Sequence, residues 1–248
     1  MAGSEKPNRK ESRKRKMKIM SAEPQIRSVD DFLNFYMDNP IPLWLYPFDG
    51  NISGITVNIQ KINEQECYII PNYDTNNWRE KFKHALPVPY IKGKIACVET
   101  GKDLWGISSK FSGCIMASFY FNSDPNKRYV CHIAKGDVLC KDENVTAFMN
   151  CTEITRLCAF DPYEMINLHE LEQALKDNPI IDWKQHVYGI VTDANECYSF
   201  VIGSKNQEVW NIMFWAKWEI VHEMHQKKIK TSNDDESECP TNQREISS

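Results

Sequence analysis

Apolar residues along this chain fall in short runs, several of them rich in β-branched and aromatic side chains and bounded by turn residues as strands are. Ser28 followed by Asp31 makes a capping-box-like start for a helix through "VDDFLNFYMD", which ends before Pro40 and Pro42. Next, "ITVNIQKI" and "CYIIPNY" flank polar "NEQE" and are rich in β-branched and aromatic residues, so they predict a hairpin. A strand-rich block follows in "GKIACVET", "LWGISS", "CIMASFYF" and "YVCHIA", with turn chemistry at Gly101, "NSDPNK" and "KGD". The stretches "NVTAFMNCTEITRL" and "INLHELEQALKD" predict helices. The second places Asn167, Leu168, Leu171 and Leu175 at helical spacing and stops at Asn178-Pro179. A further hairpin is expected where "HVYGIVT" and "CYSFVIG" surround Asp193 to Glu196. A long helix from about Gln207 to Ile229, carrying Trp210, Phe214, Trp218, Val221 and Met224, is expected to close the fold. Hairpins with helices grouped after them predict an α+β domain: a mainly antiparallel sheet sandwich or layered sheet with flanking helices.

Composition narrows this picture. Across 248 residues, 42% are hydrophobic and 11% aromatic, enough apolar surface for one sizeable core. The expected organisation is a basic tail over 1–24, a single domain over 25–230 and an acidic tail over 231–248, both tails disordered. The first tail concentrates Lys6, Arg9, Lys10, Arg13, Lys14, Arg15, Lys16 and Lys18. A solvated tail is its plain reading, and a localisation-like or anion-binding patch the sharper one. The net charge of -4 gives no global pull toward nucleic acid, and no tryptophan interleaves with the basic cluster, so no nucleic-acid partner is expected. Apolar runs such as "IPLWLYPF" and "WNIMFWAKW" are far shorter than the ~20 residues a spanning helix needs. No apolar h-region follows the N-terminus, which predicts a soluble chain in a reducing compartment, and a monomer is expected. The nine cysteines contain no Cys-x-x-Cys pair, arguing against a zinc ribbon or disulfide framework. No Gly-x-x-x-x-Gly-Lys spacing occurs, and neither a metal nor an organic cofactor is expected.

The most informative chemistry lies in "SSKFSGCIMASFYFNSDPNKRYVCHI", residues 108–133. It puts Cys114 after a Ser-Gly bend at the start of a strand and His132 on the returning strand. The two lie symmetrically about Ser123, close to the centre of the predicted turn, so they are expected to be cross-strand neighbours or nearly so. An imidazole beside a thiol can take its proton and later protonate a leaving group. Gly113 would let the backbone turn sharply, leaving N–H groups near Gly113 and Cys114 as an oxyanion hole. Replacing these two side chains, expected to be partly exposed, should cost little stability.

The "FSGC" element, followed by a strand and a histidine at this distance, resembles the cysteine glutamine deamidases of the cytotoxic necrotizing factor, Burkholderia lethal factor and chemoreceptor deamidase type. Members carry a Leu-Ser-Gly-Cys or Gly-Ser-Cys turn, and some have a threonine six residues before the cysteine. Here Phe111 replaces the leucine and Ser108 stands in the threonine's place. The resemblance covers about 25 residues and implies Cys114 as nucleophile, His132 as base and Ser108 as the hydroxyl that orients His132, with Ser109 an equally available hydroxyl. It also implies deamidation of an exposed glutamine on a protein substrate through a thioester, with transglutamination a variant outcome. The implied setting is that of a bacterial toxin or secreted virulence effector, delivered to the host cytoplasm without a cleavable signal.

Other positions carry less. His222 and His225 are three apart on the expected last helix, but no third ligand is visible and Glu219, Glu223 and Lys227 mark a solvated face. His84 and His169 are expected to face solvent, and Cys131 to point away from Cys114 on the opposite strand face. The reading from another class is a non-catalytic protein-interaction module, with a Trp-rich surface, a basic tail and an incidental buried cysteine.

Overall fold

A computed structural model describes residues 26–41, 57–70, 85–135, 142–176, 186–204 and 209–218. Both expected tails, the "IPLWLYPF" segment beyond Ile41, His84, His222 and His225 lie outside them. The compact unit within residues 1–218 is an α+β sandwich of two sheets. One sheet has six strands in the order β1 (Asn58–Ile62), β2 (Gln65–Ile70), β4 (Ile95–Thr100), β7 (Asp124–Ile133), β6 (Ile115–Phe121), β8 (Ile154–Phe160). The other has five, β11 (Trp210–Trp218), β10 (Cys197–Ser204), β9 (Val187–Val191), β5 (Trp105–Ser109), β3 (Ala85–Pro87). Pairings are antiparallel except β2 with β4 and β3 with β5.

Three apolar clusters explain the layering. Ala96, Val98, Met116 and Val130 of the six-stranded sheet meet Val187, Val191, Val201 and Met213 of the five-stranded one between the sheets. Alternate residues point outward, as the period of a strand requires. On the five-stranded sheet, Ile107, Tyr188, Ile190, Phe200 and Ile212 receive Val29, Phe32 and Leu33 of helix α1 (Val29–Asp38). On the six-stranded sheet, Cys97, Ala117, Phe119 and Cys131 receive Phe148 of helix α2 (Glu143–Asn150). Helix α3 (Leu168–Leu175) adds Leu171 and Leu175 to the inter-sheet cluster. Helix α1 starts as its sequence predicts: Ser28 Oγ accepts the Asp31 N–H at 3.1 Å, and the Asp31 carboxylate accepts the Arg27 N–H at 3.2 Å.

Two predicted helices are corrected. "NVTAFMNCTEITRL" is helical only as far as Asn150; Cys151 turns extended, and Ile154–Phe160 runs antiparallel beside β6. The expected closing helix is strand β11 over residues 210–218, paired to β10 along its length; its remainder, 219–229, lies outside the described residues. Pairing with a buried strand outweighs the i, i+4, i+8 spacing of Trp210, Phe214 and Trp218. Among the described residues no helix is long and apolar enough to cross a membrane.

Candidate active site

Two glycines let the sheets approach closely at one place. Gly106 on β5 and Gly189 on β9 flank Ser108 on the inner face of the five-stranded sheet, Gly189 directly across from Ser108. A Cβ on Gly106 would lie 2.4 Å from Val130 Cγ1, and one on Gly189 2.7 Å from Met116 Sδ and 2.9 Å from Pro162 Cγ. Into this narrow gap Ser108 projects its hydroxyl toward His132 of the opposite sheet, 2.8 Å from Nδ1. Ser108 donates its one proton to the Val88 carbonyl at 2.7 Å, so it accepts from Nδ1–H. That fixes the tautomer: Nε2 carries the lone pair, is buried and has no hydrogen-bond partner among the described residues. The ring stacks on Phe111 at 4.2 Å, 9° from parallel, and meets Tyr90 edge-on at 5.2 Å.

Phe111 belongs to the link by which the chain leaves β5 and enters β6 in the other sheet. Lys110 at φ 65 and Gly113 at φ 101 take the backbone through left-handed conformations, a freedom glycine supplies at no steric cost. Cys114 follows, 5% exposed and facing the inter-sheet core, where Met116 also points. The β6–β7 ladder pairs Met116 with His132 and Ile115 with Ile133, so Cys114 stands two residues further on, diagonal to His132 on the same face. The two are thus near neighbours across the strands, not directly opposite one another. Phe121 pairs with Asp124 around a tight turn, but Tyr120 already pairs with Arg128, and the intervening Pro125, Asn126 and Lys127 bulge out and shift the register. At rest Cys114 and His132 share no hydrogen bond. The Cys114 sulfur instead accepts the backbone N–H of Lys135 at 3.4 Å and that of Ser112.

Electrostatics leave both groups neutral. Burial pushes the Cys114 thiol up, against the two N–H groups that favour thiolate. Burial alone holds His132 down to about 3. Its unfolded value, near 6.5, is higher, so the unfolded chain binds the extra proton first as pH falls. The stability tied to neutral His132 is complete above about pH 6.5 and is lost toward pH 3 by about 1.4 kcal/mol per unit. Urea unfolding at several pH values should show this acid slope reduced in His132→Gln; an equal slope in both proteins would place a charged imidazole in the fold.

The sequence reading missed two neighbours. The Lys135 ammonium lies 3.5 Å from where a Gly113 Cβ would be, and Asp161, whose carboxyl burial pushes up against the charge of Lys135, adds to the burial that pushes the Cys114 thiol up. Only folding brings the ends of β7 and β8 to the start of β6, and neither residue falls in a motif. Cys131 faces the outer cluster, away from Cys114, and His169 is exposed. The seven described cysteines are free thiols, and no group of three His, Cys, Asp or Glu among the described residues is arranged to hold a metal ion. In comparison with known proteins, no family model, no curated protein and no solved structure matches the chain.

Proposed function

We propose that this chain is a thiol amidohydrolase that removes ammonia from a glutamine side chain of a protein substrate, with Cys114 as nucleophile. One observation carries the reading: a buried serine bridge sets His132 in a single tautomer and leaves its Nε2 lone pair without a partner on the core face that also holds Cys114. A buried acceptor without a donor costs free energy and invites a functional explanation. Because thiol and imidazole are both neutral at rest, proton transfer from Cys114 to Nε2 accompanies attack on the amide carbon. Backbone N–H groups at Gly113 and Cys114, with those of Ser112 and Lys135 beside the sulfur, are suited to hold the oxyanion. Collapse of the tetrahedral intermediate breaks the C–N bond, and His132 protonates departing ammonia. Water, deprotonated by His132, then opens the thioester to give glutamate and the free thiol. An amine in place of water would give a transglutaminated product. The toxin or effector setting belongs to this proposal through the "FSGC" resemblance alone.

The test is peptide mapping of proteins incubated with wild-type or Cys114→Ser full-length chain. A specific glutamine should gain about one mass unit with the first and none with the second. No wild-type-dependent gain would favour the interaction-module reading, which the burial of both groups and the absence of a resting Cys114 to His132 hydrogen bond support. Ser108→Ala removes the acceptor for Nδ1–H and should slow turnover about 10- to 100-fold without eliminating it. Ser109 points to the other strand face, so Ser109→Ala should change ammonia release little. The opposite ranking would assign the orienting role to the wrong hydroxyl.

A further inference from the structure

The outer face of the six-stranded sheet carries a group of thiols that the amidohydrolase chemistry does not use. Cys67 of β2, Cys97 of β4 and Cys131 of β7 are fully buried there, in the cluster that Phe148 of α2 covers. β2 and β4 run parallel, with Cys67 beside Ile95 and Ile69 beside Cys97, so the two cysteines share a face two residues apart in register. Their sulfurs lie 3.0 Å apart. Cys131 pairs with Cys97 from the other side of β4, but its sulfur turns to the Ala117 carbonyl at 3.6 Å. All three are free thiols, and an S–S bond of about 2.05 Å would need the Cys67 and Cys97 sulfurs to close by only about 1 Å.

Access is the obstacle, and the edge of the sheet supplies it. Among the described residues β1 is the edge strand beside β2, and of its five residues only Ile62 is buried. The β1–β2 turn, with Asn63 at φ 44 and Glu64 at φ 67, is pinned to α2 by Asn63 Nδ2, which donates to the Ala147 carbonyl at 3.0 Å. A hairpin at a sheet edge whose outer strand buries one side chain opens at lower free energy than the centre of the sheet. Opening it carries Cys67 toward solvent. While the hairpin is closed, burial above all pushes the Cys97 thiol up and keeps the pair unreactive.

We propose that Cys67 and Cys97 are the site of a reversible disulfide that ties β2 to β4, made by exchange with a low-molecular-weight disulfide when the β1–β2 hairpin opens. One of the two, as thiolate, attacks a sulfur of oxidised glutathione; a protein–glutathione S–S bond forms, the glutathione S–S bond breaks, and one glutathione thiolate leaves and takes up a proton. The other cysteine gives its proton to solvent and attacks the protein sulfur of that mixed disulfide. The Cys67–Cys97 bond forms, the mixed S–S bond breaks, and the second glutathione leaves as thiolate and is protonated. In all, two protein thiols are oxidised by two electrons and one disulfide is reduced to two thiols. The neighbouring sulfur at 3.0 Å favours the second step, because the close-packed layer beneath α2 has room for the internal bond and none for a glutathione adduct.

The experiment incubates reduced full-length protein with oxidised glutathione, quenches with iodoacetamide in denaturant at intervals and maps peptides without reduction. A cross-linked Cys67–Cys97 peptide should be the first internal disulfide, and dithiothreitol should reverse it. The oxidised protein should melt about 5 to 10 °C above the reduced one, because the bond spans 30 residues of the unfolded chain. Cys131→Ala should form the bond and gain the shift; Cys67→Ala and Cys97→Ala should gain none. Asn63→Asp keeps a residue that tolerates the left-handed turn but loses the amide donor, so its bond should form several-fold faster. A first internal disulfide at another pair, or no internal disulfide at all, overturns the assignment. An oxidised wild type that melts no higher than the reduced one overturns the tie between β2 and β4, and an Asn63→Asp rate equal to that of wild type overturns the hairpin as the way in.

Discussion

Cys114→Ser and His132→Gln are each expected to bring ammonia release down by at least about 10³-fold, because one removes the nucleophile and the other the base that activates it. The two differ from one another in stability. Cys114→Ala leaves a small gap in the inter-sheet cluster and should cost about 1 kcal/mol. His132→Ala removes a fully buried ring stacked on Phe111 and leaves the Ser108 hydroxyl facing a cavity, so about 3 kcal/mol is expected. The expectation that both sites tolerate substitution cheaply assumed partly exposed side chains, and burial of both overturns it. His132→Gln is the better probe, since an amide N–H can still reach Ser108 while offering no basic nitrogen. The pH profile is a second, independent readout. Thiol and imidazole are neutral together between about pH 3 and the raised thiol value, so the kcat/KM profile of wild type should carry no acid limb near pH 6.5. A limb at that pH would mean a preformed thiolate and imidazolium pair and a different proton inventory. Wild-type rates in Cys114→Ser would end the proposal outright.

Much of the sandwich is legible in the chain because its strands are β-branched and aromatic runs bounded by turn residues. "CYSFVIG" is β-branched and aromatic between turn residues, and it forms β10. Ser28 and Asp31 mark the start of α1 through side-chain chemistry that depends on nothing distant. The errors arise where local signals compete. "WNIMFWAKW" has apolar residues on both faces, so its period does not separate helix from strand, and only the neighbour β10 decides. "NVTAFMN" and "ITRLCAF" have no Gly or Pro between them, and the helix ends at Asn150 through backbone geometry alone. For the candidate site, the face shared by Cys114 and His132 follows from strand parity, but their diagonal offset does not. It depends on a bulge around Pro125, which turn residues signal without giving its size. The approach of Ser108 to His132 joins different sheets, and nothing in the residues of "SSKFSGC" specifies that contact.

Gly106→Ala is expected to be the most damaging single methyl group in the domain. The added Cβ would stand 2.4 Å from Val130 Cγ1 and 2.6 Å from Val130 Cβ, and real Cβ atoms essentially never come within 3.0 Å. Val130 cannot swing aside easily, because a β-branched side chain has few rotamers and its own Cβ is fixed to the backbone of β7. Relief must come from separating β5 of one sheet from β7 of the other, which opens the inter-sheet core and costs about 3 kcal/mol. Ser108 and His132 lie two residues further along the same two strands, and their 2.8 Å hydrogen bond lies at the middle of the displaced region. Lengthening that bond frees Nδ1–H and unlocks the tautomer, so activity should fall even at temperatures where Gly106→Ala stays folded. Val130→Gly supplies the control, since it removes all three side-chain atoms that would lie within 3 Å of the added Cβ. In the double variant Gly106→Ala with Val130→Gly, part of the lost stability and most of the lost ammonia release should return, giving a coupling energy of about 1 kcal/mol or more. Simple additivity in melting and denaturant curves would show that the sheets are not held together at this point, and that the serine bridge owes its geometry to something other than the missing side chain of Gly106.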